Sequence, residues 1–436
     1  MARLNECILY RNFEHGEILD KMAELMNAWE QKAPDLKEKE GLFFECANGL
    51  VETAGAYGFS GNLWHCYLTF LLVNNENAFS TACEIRGAVN GSINELALND
   101  FGVFKELYDF DLTVLDEAFG ISCCKVLGDY TNTGSNSKMF NSRIRDRICD
   151  LSKTLAAAES TEEFMKDMVQ FYKDFGVGKL GLHKAFRVGH DENDNVEIQP
   201  ITRIAHVKLE DLVGYEIPKQ KLIENTEAFV RGRKANNCLL FGDAGTGKSS
   251  SIKGILNRYY DEGLRIIEVY KHQFQDLNDV IAQIKNRNYK FIIYMDDLSF
   301  EEFEIEYKFL KAVIEGGVET KPDNVLIYAT SNRRHLIKET WKDREDMEHS
   351  EDLHRSDTME EKLSLVNRFG LSIFYAKPNK EGFNEMAVAL ARRAGITPEV
   401  MTDEEICYEA NRFEMRGGGL SGRTAQQFAN YLLTIK

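Results

Sequence analysis

The residues best suited to chemistry lie in one glycine-rich segment, residues 242–249, with the sequence GDAGTGKS. This segment matches the pattern GxxxxGK[ST] in full. Glycines let the backbone wrap an anion with its N–H groups facing inward, and a following helix adds the partial positive charge of its N-terminus. Lys248 can reach the β- and γ-phosphates of a nucleotide, and Ser249 can bind Mg²⁺. The predicted phosphate loop consists of Gly242, Asp243, Ala244, Gly245, Thr246, Gly247, Lys248, Ser249 and Ser250. The alternative is a glycine turn before a helix.

Two acids end the apolar run FIIYMDD at residues 291–297. A carboxylate at the end of a buried strand lies beside the phosphate loop, at the carboxyl edge of a parallel sheet. We expect Asp296 to hold Mg²⁺ through water and Asp297 to orient and polarise the attacking water. Many ATPases have Glu at the second position, and Asp is one methylene shorter, so either the water lies closer or hydrolysis is slow. The alternative is a helix N-cap after a strand.

A third polar position follows the apolar run NVLIYATSN, residues 324–332. A strand that lies between the two motifs and ends in a polar residue can sense the γ-phosphate. We assign this role to Asn332, whose amide can bond both the phosphate and the attacking water. The alternative is an Asn cap that starts the next turn.

The elements that must position these residues differ between the two halves of the chain. Residues 1 to about 190 contain a single proline, Pro34, and their apolar residues recur at helical spacing. From about residue 200, short apolar runs alternate with helical stretches, which predicts a parallel sheet with crossover connections. The five predicted strands are residues 237–241, 264–270, 290–296, 324–330 and 371–375.

The domain boundaries follow from this change of pattern. The polar segment GHDENDN, residues 189–195, predicts a linker or an exposed hairpin before the second domain. The last 55 residues or so turn helical again. The expected divisions are a helical domain at 1–190, a linker at 191–212, an α/β nucleotide domain at 213–378 and a helical lid at 379–436.

Composition limits the possible partners. A formal net charge of −17 argues against non-specific coating of nucleic acid or of an anionic membrane. The nine cysteines include no CxxC pair, which predicts reduced core thiols in a cytoplasmic protein. The longest apolar stretch, residues 63–73, is too short for a bilayer, which needs about 20 apolar residues. We therefore expect a buried core helix there and no membrane partner.

Residues 213–428 resemble the AAA+ ATPase superfamily. Within it, the chain is similar to an uncharacterised bacterial family of predicted AAA+ ATPases with a domain of unknown function. The matching segments are FGDAGTGKSSS, YMDDLSFEE, IEGGVETKPDNVLIYATSNRRHL, EEKLSLVNRFGLSIFY and LSGRTAQQF. The resemblance implies a P-loop core with a parallel five-stranded sheet of order 5-1-4-3-2 and a C-terminal helical lid, preceded by an all-α N-terminal domain.

The resemblance also implies roles for four residues outside the three motifs. Arg368 matches the arginine finger, which enters the nucleotide site of a neighbouring subunit and can be worth about 10³–10⁵ in rate. Arg423 matches the second sensor of the lid, and Gly214 and Tyr215 match the stretch that lines the adenine pocket. The alternative for both arginines is a surface residue paired with an acid.

Three functions remain open after this reading. The first is an active Mg²⁺-ATPase that forms a homo-oligomer and remodels an unknown protein partner through residues 1–190. The second is a slow nucleotide-gated switch or scaffold, and the third is a small-molecule phosphotransferase. ATP is favoured because the GTP-selecting NKxD motif is missing from its expected place. The segment 270–274 lacks the glycine of peptide-threading loops, and no basic helix indicates nucleic-acid binding.

Overall fold

The computed structural model describes residues 4–87, 91–132, 142–202, 204–300, 306–315, 321–332, 365–415, 417 and 419–435. The chain divides into two compact units, Met1–His183 and Lys184–Lys436. Each unit has its own hydrophobic core. Within the described ranges, no helix combines the length and the apolar character needed to cross a membrane.

The first unit is helical. Its described α-helices are α1 (Glu17–Glu30), α2 (Glu40–Tyr57), α3 (Leu63–Asn74), α4 (Ala78–Arg86), α5 (Ser92–Asp109), α6 (Thr113–Phe119), α7 (Cys124–Gly128), α8 (Ser142–Ala157), α9 (Thr161–Phe175) and α10 (Gly178–Leu182). Helix α3 is apolar around its whole circumference, and nearly all of its side chains are buried. The expectation of a buried core helix at residues 63–73 is confirmed.

Polar side chains fix the ends of these helices and the N-terminal segment. The Asn62 side chain caps α3, and Asn77 forms a capping box with Ser80 at the start of α4. Asp100, fully buried on α5, accepts hydrogen bonds from the backbone N–H groups of residues 8, 9 and 10 at 2.7–3.0 Å. One carboxylate therefore fastens the segment that precedes α1 to the core.

The second unit is built on a seven-stranded sheet. Its strands are β1 (Ala185–His190), β2 (Val196–Pro200), β3 (Cys238–Gly242), β4 (Leu264–Glu268), β5 (Lys290–Met295), β6 (Val325–Ser331) and β7 (Leu371–Tyr375), in the spatial order β2-β1-β4-β5-β6-β3-β7. Strands β7-β3-β6-β5-β4 are parallel and reproduce the implied order 5-1-4-3-2. The expectation of only five strands is wrong.

The two additional strands form a hairpin on one edge of the sheet. Strand β1 pairs antiparallel with β2 and parallel with β4. The turn between them is held by Asp191, whose carboxylate accepts the backbone N–H groups of Asn193 and Asn195. Residues 184–200 thus belong to the second unit, whereas the expected divisions placed them at the end of the helical domain and in a linker. For residues 189–195 the sequence also offered an exposed hairpin, and this is the structure found there. Their short mixed runs, AFRVGH and VEIQP, lack the continuous apolar character of the central strands.

Helices cover the sheet and extend the second unit at its C-terminus. Those described are α11 (Glu216–Val230), α12 (Lys248–Tyr259), α13 (Leu277–Ile284), α14 (Glu306–Glu315), α15 (Lys380–Arg393), α16 (Asp403–Glu414) and α17 (Gly422–Ile435). The central strand β6 is buried along its whole length. Helices α15, α16 and α17 share a separate apolar cluster that includes Phe383, Ile406 and Phe428.

Candidate nucleotide-binding site

The predicted phosphate loop connects the end of β3 to the start of α12. Gly242 has a φ of 134°, and a Cβ added there would lie 2.1 Å from the carbonyl oxygen of Tyr375. No larger residue fits at this position, because the obstacle is backbone of the paired strand β7. Gly247 also has a positive φ, 87°, at the N-cap of α12. The loop therefore turns sharply and directs the helix N-terminus into the site.

Lys248 extends back along the loop. Its Nζ donates to the carbonyl oxygens of Gly242 at 2.8 Å and Asp243 at 2.7 Å, and to Oδ1 of Asn332 at 3.0 Å. The residue is only 6% exposed. Burial lowers the pKa of Lys248, while the nearby carboxylates of Asp297 and Asp243 act in the opposite direction. These contacts hold the ammonium group at the centre of the loop.

Ser249 and Asp296 form the candidate magnesium site. The hydroxyl of Ser249 donates to Oδ1 of Asp296 at 2.7 Å, and the hydroxyl of Thr330 donates to the same oxygen at 2.6 Å. Burial opposes ionisation of Asp296, but the bonds from Thr330 and Ser249 outweigh it and hold the pKa of Asp296 below its ordinary value. An ionised carboxylate beside a hydroxyl at a phosphate loop is a donor set that fits Mg²⁺.

Asp297 has an unusual backbone. Its φ is 51°, in the left-handed region that Asn and Asp enter more readily than other non-glycine residues. Its N–H donates to Oγ1 of Thr330 at 2.9 Å, and its Oδ1 accepts from Nδ2 of Asn332 at 2.7 Å. The carboxylate is thus aimed at the same side chain that accepts from Lys248.

The loop and the paired acids open into one cavity of about 630 Å³. Its lining includes the loop residues Ala244, Gly245, Thr246, Gly247, Lys248, Ser249 and Ser250, the acids Asp296 and Asp297, and also Asn332, Tyr215 and Arg423. Twelve of the predicted site residues therefore meet in one place. Gly242 and Asp243 do not line the cavity among the described residues, but their carbonyl groups hold Lys248.

The predicted residues Arg423, Tyr215 and Gly214 lie on the side of the cavity next to the lid. The backbone N–H of Arg423, at the start of α17, donates to the carbonyl of Gly245 at 3.2 Å. Tyr215 has a φ of 59° and precedes α11, with its ring packed 5.5 Å from that of Tyr375. Gly214 is close to the lid, since an added Cβ would lie 2.7 Å from Cε of Met386.

Arg368 is not brought into this cavity by the part of the chain that the structure describes. It lies just before β7 and forms an ion pair with Glu315 at the end of α14. An arginine finger acts on a neighbouring subunit, so it is expected to lie outside the nucleotide site of its own chain. The alternative for Arg368 is a surface arginine that is paired with an acid. Both readings fit this position.

Sequence reasoning missed several cavity residues. Thr330 contacts both acids, but a threonine near the end of an apolar strand gives no signal of its own. Met386 and Leu390 lie one turn apart on α15 and resemble ordinary core positions in sequence. Val213 and Lys219, which also line the cavity, belong to the stretch 213–221 that the resemblance placed at the adenine pocket. Other lining residues that were given no role are Asp211, Leu212, Ser251, Gly422, Gln426 and Gln427.

The sheet order, the phosphate loop, the acids that follow β5 and the C-terminal helices define a nucleotide-binding fold of the AAA+ ATPase type. The chain belongs to the family described as "Protein of unknown function (DUF815)", whose model matches residues 182–435. No curated protein matches the chain.

Solved structures with a similar fold include a RuvB variant from Thermotoga maritima and PCH-2 from C. elegans. The RuvB variant is 16% identical, with a TM-score of 0.37 over 52% of this chain and 65% of that one. PCH-2 is 19% identical, with a TM-score of 0.36 over 52% of this chain and 66% of that one. The chain thus spans slightly less than two thirds of either structure, and the likeness concerns the fold alone.

Proposed function

We propose that this protein binds and hydrolyses ATP with Mg²⁺, acts as an oligomer and remodels or regulates a protein partner through residues 1–190. One observation carries the proposal: Asn332 joins the Lys248 ammonium to the Asp297 carboxylate within a single cavity. A cation for the phosphates and a carboxylate for the water are the two groups that phosphoanhydride hydrolysis requires.

The first task of the site is to hold the triphosphate. The ammonium of Lys248 exchanges its carbonyl and amide partners for β- and γ-phosphate oxygens, and the N-terminus of α12 adds its partial positive charge. Ser249 and Asp296 would hold Mg²⁺, which when bound neutralises charge on the phosphates. The ionised state of Asp296 favours this role.

The second task is to activate water. Asp297 accepts the proton of a water that lies in line with the γ-phosphate, and Asn332 orients both the carboxylate and the phosphate. The missing NKxD motif favours ATP over GTP. Arg368 acts in trans, at the nucleotide site of a neighbouring subunit, where its charge stabilises the transferring phosphoryl group.

Phosphate release from ATP tests the core of the proposal. Lys248→Ala is expected to abolish measurable release and to weaken MgATP binding by about 10- to 100-fold, the value of a lost charge-assisted hydrogen bond. The control is Lys221→Ala, which removes an exposed lysine of α11 and should leave release unchanged. Wild-type protein that neither binds nor hydrolyses MgATP would refute the proposal.

The Arg368–Glu315 pair separates the trans role from a structural role. A finger predicts that Arg368→Ala lowers turnover at least about 100-fold, while Glu315→Ala, which frees the arginine, keeps or raises it. A purely structural ion pair predicts similar small losses in both variants. Mixing Arg368→Ala with Lys248→Ala subunits adds a second readout, because a trans finger restores some activity in mixed oligomers.

A slow nucleotide-gated switch is the second candidate. It is favoured by the short side chain of Asp297, one of whose carboxylate oxygens already accepts a hydrogen bond from Asn332. Tight MgATP binding with turnover slower than about one per hour would select this function over the active ATPase. For either function, the Asp297→Asn protein with ATP bound is the form to use for capturing a partner of residues 1–190.

A further inference from the structure

Two thiols face each other inside the helical unit. Cys66 on α3 and Cys149 on α8 are separated by 83 residues in the chain, but their sulfur atoms lie 4.0 Å apart. The thiol of Cys66 is the donor in this contact. A disulfide requires an S–S distance of about 2.05 Å, so the two sulfurs must approach by about 2 Å to form one. The nucleotide site does not use either residue.

The surroundings of the two thiols are different. Cys66 is only 1% exposed, and its sulfur lies 3.6 Å from the carbonyl oxygen of Ser60 and 3.5 Å from the hydroxyl of Ser152. Donation to Cys149, together with burial, raises the pKa of Cys66. Cys149 is half-buried and therefore the more accessible sulfur.

Of the two cysteines, Cys149 is the one whose surroundings favour the thiolate form. The hydrogen bond from Cys66 lowers the pKa of Cys149, and a backbone hydrogen bond from Ser60 and the positive charge of Arg145 act in the same direction. These effects outweigh burial and the nearby Asp146 carboxylate. The thiolate is the form of cysteine that attacks oxidants.

A cavity of about 360 Å³ lies next to the pair. Its walls include Ser60 and Ser152, the residues that bond the two thiols, and also His65 and Lys153. A small oxidant that enters this cavity reaches Ser60 and Ser152, which both contact the sulfur of Cys66.

We propose that Cys149 is a peroxide-reactive thiolate and that Cys66 is its resolving thiol. The Cys149 thiolate attacks one oxygen of the hydroperoxide and breaks the O–O bond, which gives a sulfenic acid on Cys149 and releases hydroxide or alkoxide that takes up a proton. The Cys66 sulfur then attacks the Cys149 sulfur, its proton leaves with the hydroxyl as water, and an S–S bond forms. With hydrogen peroxide, two thiols and one peroxide give one disulfide and two waters.

The remaining cysteines provide a contrast. Burial raises the pKa of Cys7, Cys46, Cys83, Cys123, Cys124 and Cys238 and keeps them as inert thiols. Cys407 is half-exposed, and burial with the nearby Asp403 raises its pKa as well. Oxidation is therefore expected at Cys149 before any of these residues.

The test is treatment of the reduced, full-length protein with stoichiometric hydrogen peroxide at neutral pH. After free thiols are blocked, peptide mass spectrometry without reduction should find one cross-linked pair, Cys66 with Cys149, that is two hydrogen atoms lighter than the separate peptides. A thiol reductant should reverse it. In Cys66→Ser, dimedone should instead label a sulfenic acid on Cys149.

Two variants make the test decisive. Cys149→Ser should lose the disulfide, and in the Cys66→Ser background it should also lose the dimedone label. Cys407→Ser should retain the disulfide and, in the Cys66→Ser background, the label. If Cys66→Ser does not fold, Cys66→Ala with circular dichroism as a check takes its place. Labelling of Cys149 no faster than that of Cys407, or a disulfide formed only between Cys123 and Cys124, would overturn the proposal.

Discussion

The side-chain amide of Asn332 donates a hydrogen bond of 2.7 Å to the carboxylate of Asp297. Because the same amide accepts from Lys248 through its oxygen, it links the ammonium of Lys248 to the carboxylate of Asp297. One residue at the end of β6 thereby positions groups that come from two other strand ends.

Asn332→Ala is therefore expected to affect hydrolysis more than binding. The proposed contacts of Lys248 with the phosphates do not require Asn332, so we expect ATP affinity to fall less than about tenfold. The Asp297 carboxylate loses its orienting partner, and turnover should fall by about 100-fold. Steady-state hydrolysis together with fluorescent-nucleotide titration measures both values. Equal losses of affinity and turnover would contradict the positioning role.

Thr330 is predicted to support the metal site through its hydroxyl. Thr330→Val keeps the shape of the side chain but removes a hydrogen bond to Asp296 and leaves the N–H of Asp297 without its acceptor. We expect the Mg²⁺ dependence of ATP binding to shift about tenfold towards higher Mg²⁺ and the free energy of unfolding to fall by about 1–3 kcal/mol. Thr330→Ser, which retains the hydroxyl, should resemble the wild type. A valine variant with an unchanged Mg²⁺ dependence would remove this role.

Position 297 should tolerate Asn better than Glu. Asn accepts the left-handed backbone conformation at φ 51° as Asp does, so Asp297→Asn should fold and bind ATP while turnover falls by about 100-fold or more. In Asp297→Glu the longer side chain disturbs the 2.7 Å contact with Asn332, and the backbone costs about 1 kcal/mol more. Thermal melting and phosphate release test both variants. A faster Glu variant would show that backbone conformation does not limit this position.

The buried Asp100 is predicted to stabilise the helical unit. Asp100→Ala leaves three backbone N–H groups of the N-terminal segment without their acceptor, and we expect the free energy of unfolding to fall by about 2–4 kcal/mol. The amides of Ile8, Leu9 and Tyr10 should exchange hydrogen faster. Asp109→Ala removes an exposed partner of Lys105 on the same helix and should cost less than about 1 kcal/mol. If Asp100→Ala leaves amide hydrogen exchange at Ile8 and Tyr10 unchanged, Asp100 does not hold the N-terminal segment to the core.

The helical unit should also lose stability in mild acid because of His65. Burial lowers the pKa of His65 below its ordinary 6.5, so the unfolded chain binds a proton where the folded chain does not. Above about pH 6.5, His65 therefore has no effect on the free energy of unfolding. As the pH drops from there towards the pKa of His65 in the folded protein, the free energy of unfolding falls by at most about 1.4 kcal/mol per pH unit. His65→Gln should remove this slope in urea unfolding curves between these pH values. An identical slope in both proteins would assign the acid sensitivity to other groups.

The phosphate-loop sequence and the acids that follow β5 could be predicted from the sequence because their signals are local. The loop that ends in Lys248 depends on fixed spacing and on glycines, and Asp296 depends on a continuous apolar strand before it. The same strand signal predicted all five strands from 237 to 375. Their order came from resemblance, because pairing between distant strands leaves no periodic trace in a single sequence.

The missed features depend on contacts between distant segments. Strands β1 and β2 are short and only partly buried, so neither apolar alternation nor length distinguished them from a polar linker. Thr330 is recognisable only when Asp296 and Asp297 are seen beside it. Met386 lines the cavity because the lid folds back over the loop, which no pattern within α15 indicates.

Strand β7 connects Arg368, the predicted arginine finger, to the predicted phosphate loop. Arg368 precedes this five-residue strand, which spans roughly 17 Å at about 3.3 Å per residue. At the other end of the strand, the carbonyl oxygen of Tyr375 packs against Gly242. The backbone N–H of Lys377 donates to the carboxylate of Asp243 at 3.1 Å. In the proposed oligomer, a neighbouring subunit that displaces Arg368 would act through this strand on the loop proposed to bind the triphosphate. Nucleotide occupancy in one subunit would then affect the next without any change in the lid.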